Sequence, residues 1–289
     1  MVEPLPNELI DHVLENLYSD KATLKKCALV GRAWVRASQR GLFETIVFDF
    51  IIDNRHLNSN CQTKWEWLAA IFDERPHLAS YVRLLKLENL YPETLSQKAI
   101  AWAPQVIRRL SKMNHILLDG CDGNMLSKSS LLGEALYGIL NIPSLTRVTI
   151  RSCYFRNFVD LASLLSHAIY LKALTVDAVR FFGDTDPPTT SDLIPNLPPR
   201  SIKLDEFVAS TGIECLTPWF QQESCPIEVE GLQCLHICLS FPRPTGPTLI
   251  CQSAASIVQH AGRSLTKLEL RYRYDFRGML NSHLFIHLI

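Results

Sequence analysis

Residues 145–153 read Leu-Thr-Arg-Val-Thr-Ile-Arg-Ser-Cys, with apolar side chains at Leu145, Val148 and Ile150 and a thiol at Cys153. Val148 and Ile150 alternate with polar residues, the period of a strand that buries one face. The template L-x-x-L-x-L-x-x-(N/C/apolar) recurs upstream as Val82-Leu85-Leu87-Leu90 and Met113-Ile116-Leu118-Cys121, and downstream as Leu171-Leu174-Val176-Val179. Weaker copies are Ile202-Leu204-Phe207, which lacks an apolar first position, Leu232-Leu235-Ile237 and Leu265-Leu268-Leu270; Phe43-Ile46-Phe48-Ile51 also fits. Taking the fourth residue as marker gives positions 46, 85, 116, 148, 174, 202, 235 and 268, so that after a first interval of 39 the spacing runs from 26 to 33 residues. One such match arises by chance in apolar sequence, but a series at comparable spacing indicates a repeat architecture.

The segments between copies read as helices. They are Lys64–Phe72, Glu93–Leu110 with a kink or restart at Pro104, Leu131–Leu140, Phe158–Leu165, and Ala254–Ala261 stopped by Gly262. Between Glu206 and Phe220 the pattern is weaker, and Pro218 is expected to interrupt any helix. Two proline-rich stretches, Gly183–Asp192 continuing toward Pro198-Pro199, and Phe241–Pro247, read as surface insertions.

This pattern resembles irregular leucine-rich repeats, with Cys121 and Cys153 where that family often has Asn or Cys. The resemblance implies a solenoid of stacked parallel strands on the concave side with helices on the other. The apolar segment Met279–Ile289 then either packs under the last strand as a cap or marks a solenoid cut short.

Ahead of the repeats, Leu5–Phe43 carries more apolar surface than forty residues can enclose. Leu9, Ile10, Val13, Leu14 and Leu17 form one helical stripe, with Pro6 suited to the first turn and Glu8 to the positive end of the dipole. Ser19 or Asp20 can cap a second helix bearing Leu24, Cys27, Ala28 and Val30; Gly31 marks a break, and a third helix follows from Arg32 to Arg40 with Trp34 and Ala37 apolar.

The order Leu5-Pro6, Glu8-Leu9-Ile10, Val13-Leu14, Leu17, Leu24, Val30, Trp34 and Leu42-Phe43 resembles an F-box, and the variant Leu29-Val30-Gly31-Arg32-Ala33-Trp34 is most similar to F-box-like proteins of mushroom-forming fungi (basidiomycetes). Gly31 departs from the Cys or Ser of many members. The chain is thus expected to be α/β, with an F-box-like helical domain at 1–45 and a leucine-rich-repeat-like solenoid at 46–289. The resemblance implies a non-catalytic substrate adaptor of an SCF-type ubiquitin ligase that docks on a Skp1-like subunit and, through it, on cullin. Leu5, Pro6, Leu9, Ile10, Val13, Leu14, Leu17, Val30 and Trp34 are the docking candidates; some of them must instead pack the three helices together. A repeat scaffold outside any ligase, its N-terminal helices only capping the solenoid, is the alternative.

Composition is compatible with either reading. The 289 residues are 47% hydrophobic, enough for a sizeable core, and Lys+Arg and Asp+Glu both number 29, so no global charge points to nucleic acid or an anionic membrane. The start, MVEPLPNEL, lacks the pattern of a secretory signal, no apolar run reaches the length of a membrane span, and the nine scattered cysteines suit a reducing cytoplasm or nucleus. No phosphate loop, G-x-S-x-G elbow or H-E-x-x-H occurs. Cys234, His236 and Cys238 share one strand face, but their spacing is not that of zinc motifs, so neither metal nor cofactor is expected. Strand alternation places Lys86, Glu88, His115, Asp119, Arg147, Thr149, Arg151, Thr175, Asp177, Lys203, Asp205, His236, Lys267, Glu269 and Arg271 outward on one mixed-charge concave strip. That strip is either a solvated face or a surface for a protein substrate, with Arg147 and Arg151 suggesting an acidic ligand.

Overall fold

The computed structural model of the protein describes residues 6–50, 59–91, 97–124, 130–183, 197–210, 212–240, 247–273 and 282–287. Leu5, Ile51, the start of the helix expected from Glu93, most of the two proline-rich stretches, and residues 279–281 and 288–289 of the C-terminal segment therefore lie outside the described residues.

Three helices open the chain: α1 (Asn7–Glu15), α2 (Lys21–Cys27) and α3 (Arg32–Phe43). Pro6 is the N-cap of α1 rather than part of its first turn, with ψ at 142°. Asp20 caps α2, its carboxylate accepting the Thr23 N–H at 3.0 Å. Gly31 precedes α3 in extended backbone that any residue adopts. The third helix continues beyond the expected Arg40 because Gly41 is buried and Leu42 and Phe43 are half-buried, so that turn packs rather than frays.

Ile10, Leu14, Leu24 and Ala37 form a small core of their own, flanked by Leu17, Tyr18, Cys27, Trp34 and Leu42. Phe43 belongs to the larger core that follows, its ring 6.2 Å from that of Phe72. The two cores thus divide between Leu42 and Phe43. An Arg40–Asp11 contact at 2.7 Å ties α3 to α1, and the Lys21 ammonium donates to the Gly41 carbonyl.

The rest of the chain builds a mixed α/β structure on a mostly parallel sheet. Its strands are β1 (Thr45–Asp49), β2 (Leu84–Glu88), β3 (His115–Asp119), β4 (Arg147–Arg151), β6 (Ala173–Asp177), β9 (Glu206–Ala209), β11 (Cys234–Ser240) and β12 (Lys267–Arg273), side by side in chain order. A last strand, β13 (Ser282–His287), adds antiparallel to β12. The C-terminal segment thus extends the edge of the sheet instead of packing under it. Short pairs stand apart: β5 (Tyr154–Phe155) with β7 (Arg180–Phe181), and β8 (Ile202–Lys203) with β10 (Ile227–Glu228).

Register is held at the start of every parallel strand in the same way. The carbonyls of Glu44, Arg83, Asn114, Thr146, Lys172, Asp205 and Gln233 each accept two successive N–H groups from the start of the next strand, at 2.8–3.1 Å. At the other end, the residue just after β2, β3, β4 and β6 is left-handed: Asn89, Gly120, Ser152 and Ala178, with φ between 51° and 63°. The first three donate their N–H to the last residue of the following strand, while Ala178 donates to the Ser210 hydroxyl at 3.1 Å. Below this corner the Cys121 and Cys153 thiols reach the carbonyls of Leu87 and Leu118 on the preceding strands at 3.4 and 3.5 Å.

Alternation decides the faces. Ile46 and Phe48, Leu85 and Leu87, Ile116 and Leu118, Val148 and Ile150, Leu174 and Val176, Phe207 and Ala209, and Leu235 and Ile237 are all buried. Over them lie α4 (Ser59–Glu74), α5 (Pro76–Ala79), α6 (Gln97–Ile107), α7 (Ser130–Leu140), α8 (Phe158–Ser166), α9 (Ile213–Gln221) and α10 (Pro247–Ala261). The helices pack in chain order, α4 on α6, α6 on α7 and α9 on α10. Trp65 of α4 stacks on Phe48, and Trp219 of α9 meets Phe158 edge-on at 5.6 Å.

Four expectations need correction. Pro218 lies inside α9 without stopping it, because Leu216, Trp219 and Phe220 are fully buried and that burial outweighs one missing N–H. Helix α6 likewise runs through Pro104 without restarting, and α10 begins at Pro247, well before Ala254. The sixth main-sheet strand is centred on Phe207 rather than Ile202. The template there is Leu204-x-x-Phe207-x-Ala209, with Leu204 buried in the first position, and Ile202-Lys203 belong to the separate β8–β10 pair.

Gly41 gives a test whose sign the packing decides. A Cβ there would lie 2.5 Å from Tyr18 Cδ1 and 2.7 Å from Leu24 Cδ1. In an exposed helix Gly→Ala is worth about 1 kcal/mol of stabilisation; at this site overpacking reverses it, and Gly41→Ala is expected to cost about 1–3 kcal/mol. The urea-unfolding midpoint of the variant checks this.

Candidate functional site

The N-terminal helices divide the apolar stripe of α1 into two sets. Ile10, Leu14, Leu17 and Trp34, expected as docking candidates, face the interior of the three-helix unit, packed with Leu24 and Ala37. They are structural, because a helix this short must bury its inward side to hold against α3. Leu9 and Val13, one turn apart, point outward and are 52% and 49% exposed. Val30 is 68% exposed, as is its neighbour Leu29 at 86%, which the sequence reading did not single out. The signal for Leu29 lay in the pairing of two large aliphatics just after α2, where neither continues that helix's buried side. Pro6 is exposed at the N-cap, and Leu5 lies outside the described residues.

The second surface is the open face of the sheet, where register arranges the outward residues in three rows. One row runs Thr45, Leu84, His115, Arg147, Ala173, Glu206, Cys234 and Lys267. The middle row is Val47, Lys86, Leu117, Thr149, Thr175, Val208, His236 and Glu269. Asp49, Glu88, Asp119, Arg151 and Asp177 lie along the third, with Cys238 and Arg271 farther across. Lys86, His115, Arg147, Arg151, Asp177, His236, Lys267 and Arg271 therefore share this face. Lys203 does not: on β8 it sits 3.7 Å from Glu228, and Glu206 and Val208 take the places assigned to Lys203 and Asp205.

Three arginines on this face have acids beside them. The Arg147 guanidinium crosses Ala173, whose methyl group leaves room, and donates to both carboxylate oxygens of Glu206 at 3.3 and 2.9 Å. Arg151 lies 3.5 Å from Asp177, directly opposite on β6. Both arginines thus have an acid beside them within the sheet, so a carboxylate ligand would share them with Glu206 and Asp177.

On β12, Glu269 is only 1% exposed and lies between Arg271 at 2.5 Å, His236 at 2.6 Å and Lys267 at 3.7 Å. The hydrogen bond from Arg271 holds its carboxyl below the usual range, with further help from the His236 and Lys267 charges. His236 is turned to that carboxylate, and among the described residues no group of three or more His, Cys, Asp or Glu side chains is placed to hold a metal ion.

The described cysteines are all free. Burial pushes the Cys225 thiol up to about 12 and that of Cys215 to about 11, and the neighbouring Cys153 followed by burial raises Cys121 as well. Such thiols stay protonated and pack as small apolar groups. No described helix is long and apolar enough to cross a membrane. No protein-family model matches the chain, and no curated protein is significantly similar to it.

His115 makes the open face pH-sensitive. Its ring nitrogen meets the Thr149 hydroxyl at 3.0 Å, and burial, then the charges of Arg147 and Lys86, push the imidazole from 6.5 down to about 4. The unfolded chain therefore binds the proton more readily, and the stability this group contributes is complete above its unfolded value and lost as pH falls toward 4. Stability of the wild type should rise with pH between about 4 and 6.5, and His115→Gln should flatten that part of the profile in denaturant titrations.

Proposed function

We propose that the chain is a non-catalytic substrate-recognition subunit of an SCF-type ubiquitin ligase. In this reading α1–α3 form an F-box-like handle for a Skp1-like adaptor, and the sheet and its helices form a leucine-rich-repeat-type solenoid that carries a protein substrate. Cullin is reached through the adaptor, and the protein works in the cytoplasm, the nucleus or both. Catalysis is by proximity: binding both partners raises the effective concentration of a substrate lysine near the charged conjugating enzyme.

One observation carries the reading. Leu9, Val13, Leu29 and Val30 stay exposed on a three-helix unit whose other large aliphatics are buried or half-buried. Leu9 and Val13 at helical spacing, with Leu29 and Val30 in the turn after α2, fit a groove on a partner, where they would be removed from water. The regular strand starts and corners, recurring through irregular spacing, support the solenoid half of the proposal. Between the charge pairs of Arg147 and Arg151, the middle row offers a substrate the half-buried side chains of Leu117, Thr175 and Val208, with Thr149 buried among them.

Leu9→Asp with Val13→Asp should abolish co-purification with Skp1 while leaving the unfolding free energy within about 0.5 kcal/mol of wild type, since both sites are exposed. Leu14→Asp buries a charge and should cost about 3 kcal/mol or more. A folded double variant that still binds Skp1 would sink the docking proposal.

A further inference from the structure

Strand β1 is the first strand of the sheet, and one of its edges is unpaired among the described residues. In a parallel pair alternate residues bond to the neighbour. Glu44 accepts from Leu84 N–H and Phe50 donates to Glu88, so the even-numbered residues of this segment face β2. Thr45 and Val47 therefore turn their N–H and C=O groups to the free edge. Among the described residues one of these groups is sealed: the Lys64 ammonium donates to the Val47 carbonyl at 2.6 Å.

Beside this edge, between α2–α3 and α4–α5, lies a cavity of about 740 Å³, within the range of ligand-holding clefts. Its walls are apolar, with Leu42, Phe43, Ile46, Trp67, Leu68 and Ile71, and Trp67 remains 55% exposed. Its rim carries Lys25, Lys64 and Arg75 against the single acid Glu74. In a chain with equal numbers of acids and bases this is a local excess of positive charge.

We propose that the free edge of β1 binds a short extended peptide, which adds as a strand, places an apolar side chain in the cavity and sets acidic side chains against the rim. Main-chain bonds to Thr45 and Val47 supply the pairing, and alternate side chains of the added strand reach the cavity and the rim. The site is separate from the exposed aliphatics of α1, meets the open sheet face only at its first strand, and does not depend on the ligase reading.

The probe is a displayed library of random dodecapeptides selected on the full chain, followed by fluorescence polarisation of a selected peptide. Selected peptides should alternate apolar residues with Asp or Glu, and their affinity should fall as salt is raised. Val47→Pro removes an N–H that faces the free edge and none that pairs with β2, and should weaken binding at least about tenfold. Should that variant unfold, peptides N-methylated at alternate amides test the same bonds, and one of the two methylation phases must lose at least about tenfold. Lys25→Glu with Arg75→Glu, at the exposed rim, should weaken binding and flatten its salt dependence. Four results would overturn the proposal: no enrichment of this peptide class, undiminished affinity in folded Val47→Pro, saturable binding of decanoate with no peptide selected, or a concentration-dependent dimer that Val47→Pro abolishes.

Discussion

Eight parallel strands remain in one register only if every connection returns the chain to the same height. That condition is met by a single carbonyl before each strand, which accepts two successive N–H groups from the next. The residues that supply it, Glu44, Arg83, Asn114, Thr146, Lys172, Asp205 and Gln233, are chemically diverse, since only the main chain takes part. The buried leucine-like residue just ahead, Val82, Met113, Leu145, Leu171, Leu204, Leu232 or Leu265, anchors each turn in the core. A one-residue slip would expose the buried face of a strand, so the carbonyl and the anchor together set which side chains reach the open face. The charge pairs there follow from that register: Arg147 meets Glu206 because Ala173 is between them, and Arg151 meets Asp177 because they are opposite.

The far corners obey a different constraint. A left-handed residue after β2, β3, β4 and β6 suits Asn89 and Gly120 but costs Ser152 and Ala178 some strain. The N–H groups that this conformation directs outward are all used, three by the next strand and that of Ala178 by the Ser210 hydroxyl. Ser210 in turn donates to Asp177 at 2.5 Å, so a buried hydroxyl fills the place of the missing backbone partner and is itself satisfied. The thiols of Cys121 and Cys153 satisfy carbonyls just beneath, an arrangement that needs a small, weakly polar side chain and gives a physical reason for cysteine there.

Much of this was legible in the sequence, because the strand period is short and apolar residues mark it directly. The strands around Leu85, Ile116, Val148, Leu174, Leu235 and Leu268 lie where the template places them. The failure at Ile202 has a local cause. Ile202, Leu204 and Phe207 are all fully buried, so alternation alone cannot choose between two frames, and Ala209 is too small to draw attention as the third anchor. Pro218 stands inside its helix for a related reason, since the burial of Trp219 and Phe220 around it outweighs its helix-breaking tendency. The stripe of α1 was visible, but which of its residues face α3 depends on packing that period alone does not encode: Ile10 and Leu14 are inside and Leu9 and Val13 outside, though all four fit one helical face.

The electrostatics of the open face narrow what it can recognise. The bidentate Arg147–Glu206 pair, with bonds at 3.3 and 2.9 Å, already offsets much of the charge an incoming carboxylate would meet, whereas Arg151 holds Asp177 through a single 3.5 Å contact. Glu269 is a stronger case, because its partners Arg271, His236 and Lys267 compensate a carboxylate that is almost entirely removed from water. Removing any of the three would leave part of that charge uncompensated, so the cluster resists rearrangement around a ligand. What lies between them is Leu117, Thr175 and Val208, half-buried side chains on three strands, with Thr149 buried among them and bonded to His115. A ligand lying across those strands would be selected by shape and by the spacing of its own apolar groups, with the flanking charges acting mainly to exclude a mismatch.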